Sequence, residues 1–298
     1  MSGNGSGHDK SGKADFDSIY DLDDPRGYFE TLGSLGYQIP QHGQRLFSAL
    51  IEALREGGRD GAGSSWTSVV DVCCSYGVTA ALLKYQITLD DLYARYLSEE
   101  LADLSSEELA EADSAFYVRQ RRREMPLKVI GLDVAEKAVA YGRRANLLDA
   151  GFAENLEEGE PTEELRRTVA GVDLLAMTGC VGYISGRTLT RLLDCAMEGP
   201  EGRVPWVAAL ALRWVSYEEI SEALSEYGLV TEKLEGHTFP QRRFVDDEER
   251  EYVLEELAKA GVEPTGKEDT GWYHTDFYLS RPAEETETPL GTLLTPAL

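Results

Sequence analysis

Two carboxylates in this chain stand where an apolar run gives out. Asp71 lies within Ser68-Val-Val-Asp-Val-Cys73, and Asp133 closes Leu127-Lys-Val-Ile-Gly-Leu-Asp133. A carboxylate in such a place offers only acceptors, in a fork suited to paired O–H or N–H donors. Cys73, Ser75, Tyr76 and Gly77 follow the first run, and Thr178-Gly-Cys-Val-Gly-Tyr183 follows a third, Val172 to Met177. Tyr183 is the candidate for orienting a reacting group, and Tyr76 for touching a ligand. The four histidines, His8, His42, His237 and His274, include no two at helical ligand spacing, so no metal site is expected. Cys73, Cys74, Cys180 and Cys195 show no C-x-x-C spacing, and reduced thiols are expected.

The elements that must position these residues alternate. Ser68 to Cys73 reads as a strand, Val78 to Tyr85 as a helix, Leu127 to Asp133 as a strand and Glu136 to Leu148 as a helix. A third strand is expected around Phe152. The pattern resumes with strand Val172 to Met177, helix Gly186 to Met197, strand Trp206 to Leu212 and helix Tyr217 to Tyr227. This order predicts an α/β fold: a doubly wound, mostly parallel seven-stranded sheet with helices on both faces. Ligands of such sheets sit beyond the carboxyl ends of the strands, where the residues named above lie.

Flanking segments complete the domain plan. Residues 1–20 read as a disordered leader, 21–60 as an N-terminal helical cover, 61–282 as the α/β domain and 283–298 as a disordered tail. Residues 57–65 read as a flexible connection. Residues 88–126, long for a connection, read as a cap of two helices centred on Asp90 to Tyr96 and Glu107 to Tyr117. Cap and cover are expected to close over the ligand. Leu229 to Pro282 reads as strand, turn, helix Asp246 to Ala260 and a last strand Thr275 to Ser280. In that stretch His237, Gln241, Arg242 and Arg243 form a polar cluster, in which an arginine could meet a substrate carboxylate or pair with Asp246, Asp247 or Glu248.

Val69-Val-Asp-Val-Cys-Cys-Ser-Tyr-Gly77 resembles the first motif of the class I S-adenosylmethionine-dependent methyltransferases, an acidic strand residue followed by alternating glycines. Asp71 matches the acid and Gly77 the last glycine, while Cys73 and Ser75 stand where glycines are usual. Gly131-Leu-Asp133-Val134-Ala-Glu-Lys-Ala-Val resembles the second motif. The resemblance covers about Ser68 to Leu212. It implies S-adenosylmethionine as cofactor, with Asp133 on the ribose hydroxyls, Val134 beside it, and Asn155 or Glu154 at the adenine amino group. Thr178 then faces the transferred group. The two replaced glycines imply that the amino-acid end of the cofactor is held differently here.

Composition narrows the function. A formal charge of −25 opposes binding to polyanions, so nucleic acid is not an expected partner. Arg119, Arg121, Arg122 and Arg123 read as a solvated helix end balancing nearby acids. No stretch approaches the roughly 20 apolar residues that a membrane span needs, and the start of the chain lacks a signal-peptide core, so a cytoplasmic protein is expected. C-x-S-Y-G cannot replace the G-x-G-x-x-G of a dinucleotide site, and no P-loop is present. Methyl transfer to a small metabolite is the leading expectation. Attack on the aminocarboxypropyl carbon, including azetidine-type cyclisation with release of methylthioadenosine, stays open, as does a non-catalytic binding protein. The acceptor and the oligomeric state are not specified by the sequence.

Overall fold

The computed structural model describes residues 17–20, 22–57, 66–121 and 126–298. Residues 1–16 of the expected leader, most of the 57–65 connection, and Arg122 and Arg123 lie outside the described residues; residues 17–20, also expected to be disordered, form a helix in which Ile19 is buried. The chain begins with helices α1 (Asp17–Tyr20), α2 (Arg26–Ser34) and α3 (Ile39–Glu56). Strand β1 (Thr67–Val72) and helix α4 (Val78–Lys84) follow, then the insertion, α5 (Leu89–Tyr96), α6 (Glu99–Ala102) and α7 (Ser106–Arg119). The alternating unit continues with β2 (Leu127–Asp133), α8 (Glu136–Arg144), β3 (Ala150–Ala153), α9 (Glu163–Val169), β4 (Leu174–Thr178), α10 (Gly186–Met197), β5 (Trp206–Leu212) and α11 (Glu218–Ser225). It closes with β6 (Leu229–Lys233), β7 (Phe239–Arg243), α12 (Asp247–Lys259), β8 (Trp272–Pro282) and α13 (Leu290–Leu293).

The fold is doubly wound α/β. Strand order is β3-β2-β1-β4-β5-β8-β6, parallel from β3 to β5, with β8 antiparallel to its neighbours. Strands β1, β4 and β5 read as near-continuous apolar runs because both of their faces are covered. On one face Val69, Val129 and Ala176 pack under α3 and α4. On the other, Val70, Ile130 and Val207 pack under α9, α10 and α11. The order reverses between β1 and β4, and that switch point opens the crevice in which ligands of such sheets bind.

Two segments depart from expectation. The sheet has an eighth strand, β7, which shares the outer edge of β8 with β6: β6 pairs with Tyr278 to Pro282, and β7 with Trp272 to Thr275. The sequence Phe-Pro-Gln-Arg-Arg conceals a strand because its polar residues are buried in pairs. Arg242, 3% exposed, forms a two-pronged ion pair with buried Glu249 of α12 (2.7 and 2.9 Å) and lies over the Tyr273 ring. Its partner is thus Glu249, one residue beyond the acids expected, while Asp246 caps α12 through the Glu249 N–H. The tail is also ordered, correcting the disorder expected at 283–298. Leu290, Leu294 and Ala297 are buried on the α3 face of the sheet, and buried Arg281 joins Glu232 to the Thr288 carbonyl. The Thr, Pro and Glu content of that stretch hides apolar residues spaced to reach one face.

The insertion forms its two long helices with capping boxes at Thr88 and Ser105. Its centre is Asp113, fully buried, which accepts hydrogen bonds from Tyr96 (2.5 Å) and Tyr141 (2.6 Å) and pairs with Arg95 (2.7 Å). Among the described residues no helix is long and apolar enough to cross a membrane.

Candidate functional site

A cavity of about 930 Å³ opens at the carboxyl ends of β1, β2 and β4. Its floor is the turn from β1 into α4. Cys73 (φ 58°), Ser75 (φ 49°) and Gly77 (φ 83°) all lie in the left-handed region. Cys73 and Ser75 thus adopt the backbone that glycine adopts freely, at about 1–2 kcal/mol each for a residue with a Cβ. The backbone path of a glycine turn is kept, so any difference in how a ligand is held comes from the added side chains.

That path aims the Ser75 N–H at Asp133 Oδ2 (2.8 Å), while Asp133 Oδ1 accepts the Ala135 N–H (3.0 Å). The carboxylate is therefore fixed between the two turns, and each oxygen keeps a lone pair for a further donor. Ser75 lines the cavity, and its hydroxyl is buried without a hydrogen-bond partner. Asp71 lies just below the floor, 2% exposed. Burial, and then the negative charge of Asp133, push its titration up to about 8.

Tyr76 and Gly77 do not line the cavity, contrary to expectation. The Tyr76 ring turns away into the aromatic cluster around Tyr28 and Tyr141, and its hydroxyl reaches the carbonyls of Ile19 (2.9 Å) and Leu22 (3.0 Å). It thus ties the N-terminal segment to the floor. At Gly77 a Cβ would meet Leu147 at 3.2 Å, so this glycine serves the turn and its close packing. Asp71, also expected at the ligand, sits one layer deeper than Val72, which does line the cavity.

Val134, 68% exposed, forms the rim beyond β2. Across from it lie Glu154 and Asn155, both already engaged. Glu154 holds the Thr162 N–H and hydroxyl (3.0 and 2.6 Å), and Asn155 Oδ1 accepts the Glu157 N–H (3.0 Å). Glu157, which no sequence signal singled out, binds the hydroxyls of Ser185 (2.8 Å) and Thr188 (2.6 Å) and so pins the start of α10 to this wall. Thr178 Oγ1 meets Thr79 Oγ1 (3.4 Å) on the β4 side. Cys180 reaches the Val72 carbonyl (3.6 Å), and its contact with Cys73, together with burial, pushes the Cys73 thiol well up. All four cysteines are free thiols. Tyr183, 60% exposed, stands at the mouth.

The roof was only partly legible. Tyr20, Tyr28, Leu32 and Pro40 of the N-terminal helices and Tyr37 between α2 and α3 line the cavity, joined by Gln241 and Arg242 from β7. The N-terminal segment was expected to cover the ligand, but no motif named which of its residues line the cavity. Among its described residues the insertion contributes none to the lining and acts behind the roof: the Tyr93 hydroxyl holds the Tyr37 carbonyl (2.6 Å), and Tyr96 stacks on Phe29 (4.5 Å). Burial drives the titration of Tyr28 and Tyr37 well above that of an ordinary tyrosine, so their hydroxyls stay protonated. His42 and His274 are held near 4, mainly by burial, and are neutral at neutral pH.

Fold and site together define a doubly wound α/β protein with a carboxylate-anchored ligand cavity at its switch point. No family model matches the sequence, and no curated protein does. Solved structures similar to it include magnesium protoporphyrin IX methyltransferase from Synechocystis PCC 6803 with bound SAM, at 11% identity and a TM-score of 0.37, covering 81% of this chain and 80% of that one. The N-methyltransferase NodS from Bradyrhizobium japonicum WM9, in complex with S-adenosyl-l-homocysteine, has 10% identity and a TM-score of 0.37, covering 80% and 86%. The plantazolicin methyltransferase BpumL, in complex with SAH, has 9% identity and a TM-score of 0.37, covering 89% and 88%.

Proposed function

We propose that the chain is a transferase that binds S-adenosylmethionine in this cavity and passes its methyl group to a small molecule held under the N-terminal tyrosines. The observation that carries the reading is the Asp133 carboxylate, oriented by the Ser75 and Ala135 N–H groups and backed by a turn that keeps the glycine path at Cys73, Ser75 and Gly77. The residues suit the cofactor. Asp133 retains acceptors for two ribose hydroxyls, Val134 offers an apolar surface to a base, and the unpartnered Ser75 hydroxyl stands ready for the amino-acid end.

When bound, the cofactor supplies an already activated methyl group on its sulfonium. The protein's part is then positioning and exclusion of water. Tyr20, Tyr28 and Tyr37 close the roof, and Tyr28 and Tyr37, with their hydroxyls protonated, orient an acceptor as hydrogen-bond donors rather than as bases. Tyr183, at the mouth, is assigned to the acceptor side. Among the described residues that line the cavity no histidine supplies a base, which favours acceptors whose nucleophile carries a lone pair at neutral pH.

One observation favours attack at the aminocarboxypropyl chain as a second reading: Cys73 and Ser75 place side chains where glycines would leave bare backbone. Mass spectrometry of small molecules after incubation with S-adenosylmethionine and cell extract separates the readings. S-adenosylhomocysteine with a methylated product is the expected result. Methylthioadenosine establishes the second reading, and an unconsumed cofactor establishes a binding protein.

A further inference from the structure

Side chains alternate along a regular strand, yet Gln241 and Arg242, consecutive in β7, are both buried and both line the cavity. The cause is a break in the pairing of β7 with β8: Pro240 pairs with His274 and Arg243 with Trp272, so two residues of β7 stand opposite Tyr273 alone. Such a bulge re-aims side chains and is common beside binding sites. Main-chain bonds hold it in place. The Gln241 carbonyl accepts the Gln38 N–H (2.8 Å), and the Arg243 N–H donates to the Leu35 carbonyl (2.8 Å), which ties β7 to the loop that carries Tyr37.

The two side chains differ in what they can offer a ligand. Arg242 is paired with Glu249 through both terminal nitrogens. Gln241 is 6% exposed, and its carboxamide makes no hydrogen bond among the described residues. The amide nitrogen lies against Gly179, where a Cβ would come within 2.8 Å of it. Gly179, at φ 85°, therefore makes room for the carboxamide just past β4, on the far side of β1 from Asp133.

A carboxamide carries a C=O acceptor and N–H donors side by side, and burying it unpaired is costly. Another amide edge satisfies it from one direction, exchanging two hydrogen bonds with it. A carboxylate is the poorer match, because the only basic residue among the described lining, Arg242, is already paired, while Glu136, Glu157 and Glu158 line the same cavity. The tyrosine roof adds flat apolar surface with hydroxyl edges. We propose that Gln241 selects the acceptor, and that the acceptor is an uncharged molecule presenting an amide or lactam edge on a flat ring. The proposal rests on the cofactor reading above, which leaves the β4 and β7 side of the cavity to the acceptor.

The test is equilibrium binding to the full chain loaded with S-adenosylhomocysteine. The probes are carbostyril, a two-ring lactam, N-methylcarbostyril, in which the lactam donor is blocked, and naphthoate, which is flat but anionic. Wild type is expected to bind carbostyril at least about tenfold more tightly than either of the others, since each leaves the Gln241 carboxamide incompletely paired. Gln241→Met keeps the length of the side chain without its hydrogen-bonding groups, and is expected to bind carbostyril and its N-methyl form nearly alike. Gln241→Asn retracts the amide by one methylene and is expected to lose most of the preference, which provides the same comparison should the methionine variant not fold. Binding of S-adenosylhomocysteine, measured alongside, controls for folding and loading. A preference that persists in a folded variant, a loaded wild type that does not distinguish the lactam from its N-methyl form or from naphthoate, or one that binds no carbostyril at millimolar concentration overturns the proposal and leaves the cofactor reading intact. A wild type that binds no S-adenosylhomocysteine overturns that reading, and the proposal with it.

Discussion

The floor of the cavity is made of backbone held in uncommon conformations, and its roof of side chains held by packing. At the floor, three residues in the left-handed region and two N–H groups converging on Asp133 leave little freedom, because sheet hydrogen bonds fix both strands that lead into it. The roof hangs on aromatic contacts: Tyr28 meets Tyr20, Tyr37 and Tyr76 edge-on at 5.7, 6.2 and 5.9 Å, and the insertion braces it from behind. A floor of this kind holds a constant ligand in one pose. A roof of this kind can be loosened without altering the floor, as suits a surface that admits and releases a substrate.

The largest expected effect separates roof from floor through the insertion. Asp113→Ala strips Arg95 of its partner and leaves Tyr96 and Tyr141 without their acceptor, so it is expected to cost about 3–5 kcal/mol of stability in denaturant titration. Since no described residue of the insertion lines the cavity, what remains folded is expected to bind cofactor nearly as wild type does; a large loss of affinity in that fraction would merge the two regions into one. Next comes the floor. Asp133→Ala is expected to weaken S-adenosylmethionine binding by about 1.5–3 kcal/mol, measured by calorimetry, as for a lost charged hydrogen-bonding partner.

Smaller effects grade the floor itself. Gly77→Ala is expected to lower stability by about 1–2 kcal/mol in thermal unfolding, because a left-handed backbone is costly for alanine and its Cβ would crowd Leu147. Ser75→Gly sits in the same region of φ and is expected to leave stability within about 1 kcal/mol, since relief of strain and the added freedom of the unfolded chain oppose each other. Equal effects at the two positions would show that the strain assigned here is absent. A local change is Tyr76→Phe, which removes the hydroxyl joining floor to roof at a cost of about 0.5–1.5 kcal/mol. Hydrogen exchange is expected to quicken in α1 and α2 and not in α8. A uniform increase would deny that this hydroxyl is the local tie.

What could be read from the sequence follows the same division. Strand ends declare themselves, because an apolar run must stop where the sheet stops; Asp133 and Thr178 were therefore placed at the ligand edge from spacing alone. The turn at Cys73 and Ser75 was read by side-chain identity, which suggested a ligand held differently and was silent on the backbone path, since that path is set by the strand and helix it must join. Tyr76 illustrates the limit: its position in the turn was plain, but whether its ring faces the cavity or the core depends on Tyr28 and Tyr141, distant in sequence. β7 was missed because burial of Arg242 requires Glu249 and Tyr273, pairings that no local pattern displays. The tail was missed because composition speaks for exposure while Leu290, Leu294 and Ala297 find a partner only in α3.

The central claim, that the turn after β1 and the carboxylate after β2 together form a nucleoside site, is reached most directly by titrating the wild-type chain and Asp133→Ala with S-adenosylhomocysteine at pH 7.5. One molecule bound per chain, with affinity reduced by about ten- to a hundredfold or more in a folded Asp133→Ala variant, is the expected result. Equal affinity in the two proteins, or no binding to the wild type at millimolar ligand, contradicts it.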